Sequence, residues 1–143
     1  MMALRADEVI RTWFEQLWNQ KREETIDWLL APHGQVYGLP TPDHQPIRGP
    51  EGFKRFYATF CGTFPDIRVT VERTITEGSM VAAQCHVTGR HTGSALAPAS
   101  GRSIEFSGMV IVRVANGRIV EGWNSFDFLR LYQQMGLLPP LPT

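Results

Sequence analysis

The stretch Ile104–Gly136, IEFSGMVIVRVANGRIVEGWNSFDFLRLYQQMG, decides the fold. Two apolar, β-branched runs flank Asn116-Gly117, a dipeptide suited to a two-residue hairpin turn, so Ser103–Val114 and Arg118–Ser125 read as paired antiparallel strands. Phe128–Met135 follows with helical spacing and ends at Gly136. Asp127 stands between sheet and helix. It is a candidate acid/base and equally a candidate cap for the first-turn amides.

Register decides what shares a face with Asp127. A two-residue turn at Asn116-Gly117 places it with Phe106, Val110 and Trp123, whereas a three-residue turn with a bulge pairs it with Glu105 and aligns it with Met109 and Arg113. Both faces of Met109–Val114 are largely apolar, so the pattern leaves the two registers open. In the bulged register Glu105 becomes a second carboxylate and Arg113 an oxyanion donor; the alternative for Arg113 is an ion pair at a strand edge or interface.

Working outward, Val81, Ala83, Cys85 and Val87 alternate along Met80–Arg90, after a turn at Gly78-Ser79. Before that turn Ile67, Val69, Val71 and Ile75 are expected on one face of a half-exposed strand. Glu51–Cys61 reads as a helix whose Phe53, Phe56, Tyr57 and Phe60 form an aromatic face, with Pro50 at its start and Gly62 at its end. Pro32–Pro50, with five prolines, reads as a loop around one short strand, Gln35–Leu39, of the kind that forms a lid or pocket wall. A shorter helix is expected over Glu23–Leu30. A first helix reaching Asn19 carries Val9, Ile10, Trp13, Phe14, Leu17 and Trp18 on one face. Segregated helices and three or four antiparallel strands predict an α+β domain with helices against one side of a curved sheet.

Composition narrows the function classes. The 143 residues are 43% hydrophobic, enough for one domain and one core, expected over 1–143. Lys plus Arg balance Asp plus Glu at 14 each, so no net field draws the chain to nucleic acid or an anionic membrane. Arg5, Asp7 and Glu8 interrupt any secretory signal, and no apolar run spans a bilayer. With Cys61 and Cys85 alone, buried thiols in a reducing cytoplasm are expected. Four scattered histidines lack metal-ligand spacing, and there is no dinucleotide or phosphate-binding motif, so neither metal nor cofactor is expected.

The motifs GFKRFYATFCGTFPDIRVTVE (52–72), VTGRHTG (87–93), GRSIEFSGMVIVRVANGRIVEGW (101–123) and FDFLRLYQQMG (126–136) together resemble the SnoaL-like polyketide cyclase family, from about Gly49 to Gly136. The resemblance implies a cone-shaped domain of the nuclear-transport-factor-two type, in which helices and a bent sheet enclose an apolar pocket, commonly as a homodimer. Its fold hosts cyclases, isomerases, epoxide hydrolases, dehydratases and non-catalytic binders. The family's acid/base aspartate, near the end of the last strand, corresponds to Asp127. His91 falls in the GRHTG motif, where Arg90 replaces a more usual threonine.

These readings predict a cofactor-independent cyclase or isomerase acting on a hydrophobic carbonyl compound. Asp127 is the expected base, with a histidine, His86 or His91, stabilising an enolate; five positions apart on a strand, at most one reaches the pocket. An aspartate base near neutral pH needs desolvation worth about 4 kcal/mol for a shift of roughly three units from 3.9. Phe56, Phe60, Trp28, Tyr37, Met109 and Trp123 are the expected substrate contacts. The alternatives are a non-catalytic binder of an apolar metabolite on the same fold and an interaction module working through the exposed sheet face.

Overall fold

The computed structural model describes residues 3–142. Its decisive hairpin joins β5 (Ser103–Ala115) to β6 (Arg118–Phe126). Asn116 (φ 52°) and Gly117 (φ 73°) both occupy the left-handed region that a type I′ turn demands, and Ala115 pairs with Arg118 across them. One step further in, Val114 opposes Ile119 but Arg113 opposes Glu121, so Val120 is an extra residue in β6. The faces are those of the expected bulged register, with Asp127 aligned with Met109 and Arg113, but the pairing is shifted from Glu105 to Ser107: Trp123 lies opposite Ile111, and the Asp127 amide donates to the Ser107 carbonyl at 3.0 Å. The tight turn is as expected. The bulge beyond it exchanges the faces of everything from Glu121 onward.

Six strands form one mixed sheet in the order β2-β1-β6-β5-β4-β3, comprising also β1 (Leu30–Tyr37), β2 (Ile47–Arg48), β3 (Arg68–Glu77) and β4 (Met80–Arg90). Only β1 and β6 run parallel; every other neighbouring pair is antiparallel. The four antiparallel strands that follow the helices, β3 to β6, are as expected; β1 overlaps the expected short strand Gln35–Leu39, and β2 is additional. Pro32 and Gly34 do not separate helix from strand: β1 begins at Leu30 and absorbs both residues in an irregularity between Leu30 and Gln35. A second bulge, at Glu72 in β3, turns Ile75 away from Val69, leaving it 70% exposed instead of sharing the inner face.

Helix α1 (Ala6–Thr12) continues into π-helical turns over Trp13–Asn19, and α2 (Thr25–Leu29) follows. The wider i→i+5 turn, seen in the Gln20 amide donating to the Glu15 carbonyl, lets Trp13, Phe14, Leu17 and Trp18 all be buried on the sheet side. Helix α3 (Gly49–Thr63) presents Phe53, Tyr57 and Phe60 to these tryptophans; Trp13 meets Phe53 at 4.9 Å and Trp18 meets Tyr57 at 5.1 Å, both edge-on. Tyr57 Oη donates to the Leu17 carbonyl at 2.9 Å, so its polar end is satisfied inside the core. Helix α4 (Phe128–Gln134) closes the chain against β5. The result is an α+β fold with the helices and the inner sheet face sharing one core.

Candidate functional site

That core is not completely filled. Between helices and sheet lies a cavity of about 70 Å³, where a single water needs roughly 10–15 Å³. Trp13, Phe14, Trp18, Phe53, Phe56 and Phe60 form its helical wall, and Val87, Phe106, Val110, Val112 and Phe126 belong to its sheet wall. The three-and-four spacing in α3 sets Phe53, Phe56 and Phe60 on one line, with Phe56 and Phe60 stacked at 4.9 Å. Asn124 contributes the only amide to the lining, which has no hydroxyl and no ionisable side chain. The Val120 bulge puts Asn124 there, opposite buried Val110.

An outer recess of about 360 Å³ adjoins this chamber, sharing Leu39 and Phe128 with it. Tyr37, Thr41, His44, Gln45 and Tyr132 give it a mixed polar lining. The proline-rich segment thus supplies a pocket wall, as its composition suggests. Thr41 Oγ1 donates to the Gln45 carbonyl at 3.0 Å and Asp43 Oδ1 accepts the Gln45 amide at 3.1 Å, which braces the loop. Partial burial holds the Tyr132 phenol above its ordinary pKa.

Asp127 does not line the chamber. Its side chain is exposed, and Oδ1 accepts the Arg130 amide at 3.0 Å as the N-cap of α4. Its chain neighbours Phe126 and Phe128 do line the chamber, so the backbone of Asp127 passes the rim while its carboxylate faces outward.

The histidines are also outside. His86 sits on the outer sheet face, with Nδ1 3.1 Å from Ser107 Oγ and Nε2 3.0 Å from Glu105 Oε1. His91 is fully buried beneath the Thr92–Arg102 connection, with Nδ1 2.8 Å from Ser100 Oγ and Nε2 3.4 Å from the Ala97 carbonyl. Neither lines the chamber. Arg113 makes an ion pair with Glu121 across the hairpin, at 2.6 Å, and offers no oxyanion site.

Of the expected substrate contacts, Phe56 and Phe60 meet in the chamber. Tyr37 borders the outer recess. Trp28, Met109 and Trp123 are 48%, 60% and 37% exposed and away from it; the bulge turns Trp123 outward, and Met109 faces outward by the alternation of β5 beside buried Val110. Sequence reasoning treated Trp13, Phe14 and Trp18 as core and passed over Asn124, whose inward face is visible only once the register is known. Both cysteines are free, and burial pushes the Cys85 thiol up to about 12. Among the described residues, no three His, Cys, Asp or Glu side chains cluster as a metal site, and no helix is long and apolar enough to cross a membrane.

Known proteins are similar to this chain in sequence and fold. The chain is 27% identical over 139 residues to aklanonic acid methyl ester cyclase DauD of Streptomyces sp. (strain C5), covering 95% of this chain and 83% of that protein. Among solved structures, IdmH of Streptomyces antibioticus, a proposed polyketide cyclase, superposes with a TM-score of 0.79 at 28% identity, covering 93% of this chain and 99% of IdmH. A SnoaL-like protein of Jannaschia sp. CCS1 shares the fold with a TM-score of 0.82 at 23% identity, over 94% of this chain and 93% of that one. The family model for SnoaL-like polyketide cyclases matches residues 8–135. With that match spanning nearly all of it, the chain belongs to the SnoaL-like polyketide cyclase family.

Proposed function

We propose that this chain takes up a hydrophobic carbonyl compound of the polyketide kind and promotes its ring closure without a cofactor. The observation that carries the reading is the chamber of aromatic and aliphatic walls in a chain related to a cyclase. Burying apolar ligand surface there is worth about 25 cal/mol per Å². The same walls hold a flexible substrate bent, so that two of its own atoms meet and the entropy of their encounter is already met by binding. Asp127 is the proposed base, since it joins two lining residues at the rim. Its cap bond to Arg130, worth about 1 kcal/mol, is weak enough to be exchanged for a contact with the substrate. His86 and His91 take no part in this reading.

A second reading has its own observation. The chamber lining carries no ionisable group and the Asp127 carboxylate is exposed, which suits a container for an apolar metabolite. Titrating the fluorescence of Trp13 and Trp18 with aklanonic acid methyl ester, and following its conversion by wild type and Asp127→Asn, separates the two. Binding by both proteins with turnover by wild type alone is expected. Binding without turnover in either favours the container, and absence of binding removes both readings.

The outer sheet face supports a homodimer. Ile75, Ile111 and Trp123 lie along one row across β3, β5 and β6, with Met109 beside them, and such contiguous exposed apolar surface suits an isologous contact. Two free thiols are in keeping with a cytoplasmic location.

A further inference from the structure

The Asn124 side chain makes one hydrogen bond among the described residues, from Nδ2 to the Tyr37 carbonyl at 3.0 Å. A backbone carbonyl only accepts, so the amide group facing Tyr37 is the NH2 and the orientation of the side chain is determined by chemistry. Oδ1 accepts no hydrogen bond among the described residues. It is not enclosed either, since Thr25 Oγ1 is the one described side-chain polar atom both buried and without a partner. Asn124 shares the inner face with Gly122 and Phe126, and lines the chamber. An acceptor thus stands free in an otherwise apolar wall.

From this we infer that Asn124 is the specificity-determining residue of the chamber, its Oδ1 accepting a hydrogen bond from a hydroxyl of the bound molecule. The inference rests on the chamber being the ligand site and adds the substrate class: enols, phenols and other hydroxylated rings, with the hydroxyl directed at β6. An acceptor left dry beside an apolar ligand keeps the desolvation cost of its lone pairs; a ligand hydroxyl removes that cost. A ligand carbonyl, itself only an acceptor, gains nothing at Oδ1. Selection at Asn124 is therefore for a donor.

The test uses p-cresol and p-xylene, which have the same shape and differ by a hydroxyl in place of a methyl. Dissociation constants for both are measured by tryptophan fluorescence with the whole chain, wild type and Asn124→Leu. The affinity ratio is expected to favour p-cresol about fivefold more in wild type than in the variant. An unchanged ratio overturns the inference. Because Asn124→Leu also removes the bond to Tyr37 and can unfold the chain, the wild type supplies an independent measurement, the Asn124 side-chain carbonyl ¹³C shift. It should move with p-cresol and stay with p-xylene; equal responses overturn the assignment of Asn124 alone. Failure of both probes to bind overturns the chamber as a ligand site together with it.

Discussion

Asp127 Oδ1 accepts the Arg130 backbone amide at 3.0 Å, satisfying one of the first-turn donors of α4. The cap predicts how two substitutions divide. Asp127→Ala should cost about 1 kcal/mol in urea unfolding, and Asp127→Asn only a few tenths, because asparagine caps about as well. Equal stability for all three proteins would mean the bond is energetically idle. If Asp127 is also the base, the asparagine variant keeps its fold and loses turnover.

Gly38, at the end of β1, is held against β6. Its φ is +86°, and a Cβ added there would lie 2.0 Å from the Asn124 carbonyl oxygen. Gly38→Ala should therefore destabilise the chain by about 3 kcal/mol or more and loosen the Tyr37–Asn124 contact. Gly78→Ala is the control. Its φ is +58° with nothing within 4 Å, so only the backbone cost of about 1 kcal/mol applies. Similar losses in the two variants would contradict the close approach.

Cys85 predicts a change in alkaline stability. Burial raises its pKa from 9.0 to about 12, so the folded state holds the proton after the unfolded chain has released it. The contribution is complete below pH 9 and is lost as pH rises toward 12. Tyr57, raised mainly by burial, acts in the same direction at higher pH. Cys85→Ala should lower stability at pH 7 through lost packing, yet show a shallower decline between pH 9 and 12 than wild type. Parallel pH profiles would refute the linkage.

Ile111 is 43% exposed and faces Trp123 across the hairpin on the outer side of the sheet. Placing a charge there, Ile111→Glu, is expected to convert a dimer to monomers in sedimentation or light scattering while leaving the circular dichroism spectrum unchanged. A monomeric wild type would dispose of the proposed interface directly.

Much of the fold is legible along the chain because it follows from near neighbours. Asn116-Gly117 selects its turn through backbone sterics, and the spacing of Phe53, Phe56 and Phe60 marks a helical face whatever it packs against. The candidate site is less legible. The helical spacing marks Phe56 and Phe60 as pocket material, whereas the apolar character of both faces of Met109–Val114 leaves open the side on which Met109 and Trp123 lie, and the Val120 bulge that decides it for Trp123 has no signal in the local pattern. Pro32 and Gly34 concealed most of β1, since strand-breaking residues are tolerated where the pairing is already irregular.

The sequence by itself determined the α+β character, the hairpin, the aromatic helical face and the family motifs, all carried by local spacing and residue type. Tertiary structure alone decided which side of β6 is inside. One extra residue, Val120, exchanges the two faces, and its placement depends on how well each set of side chains packs against helices far away in sequence. That choice puts Asn124 into the chamber and leaves Asp127 outside it as a cap.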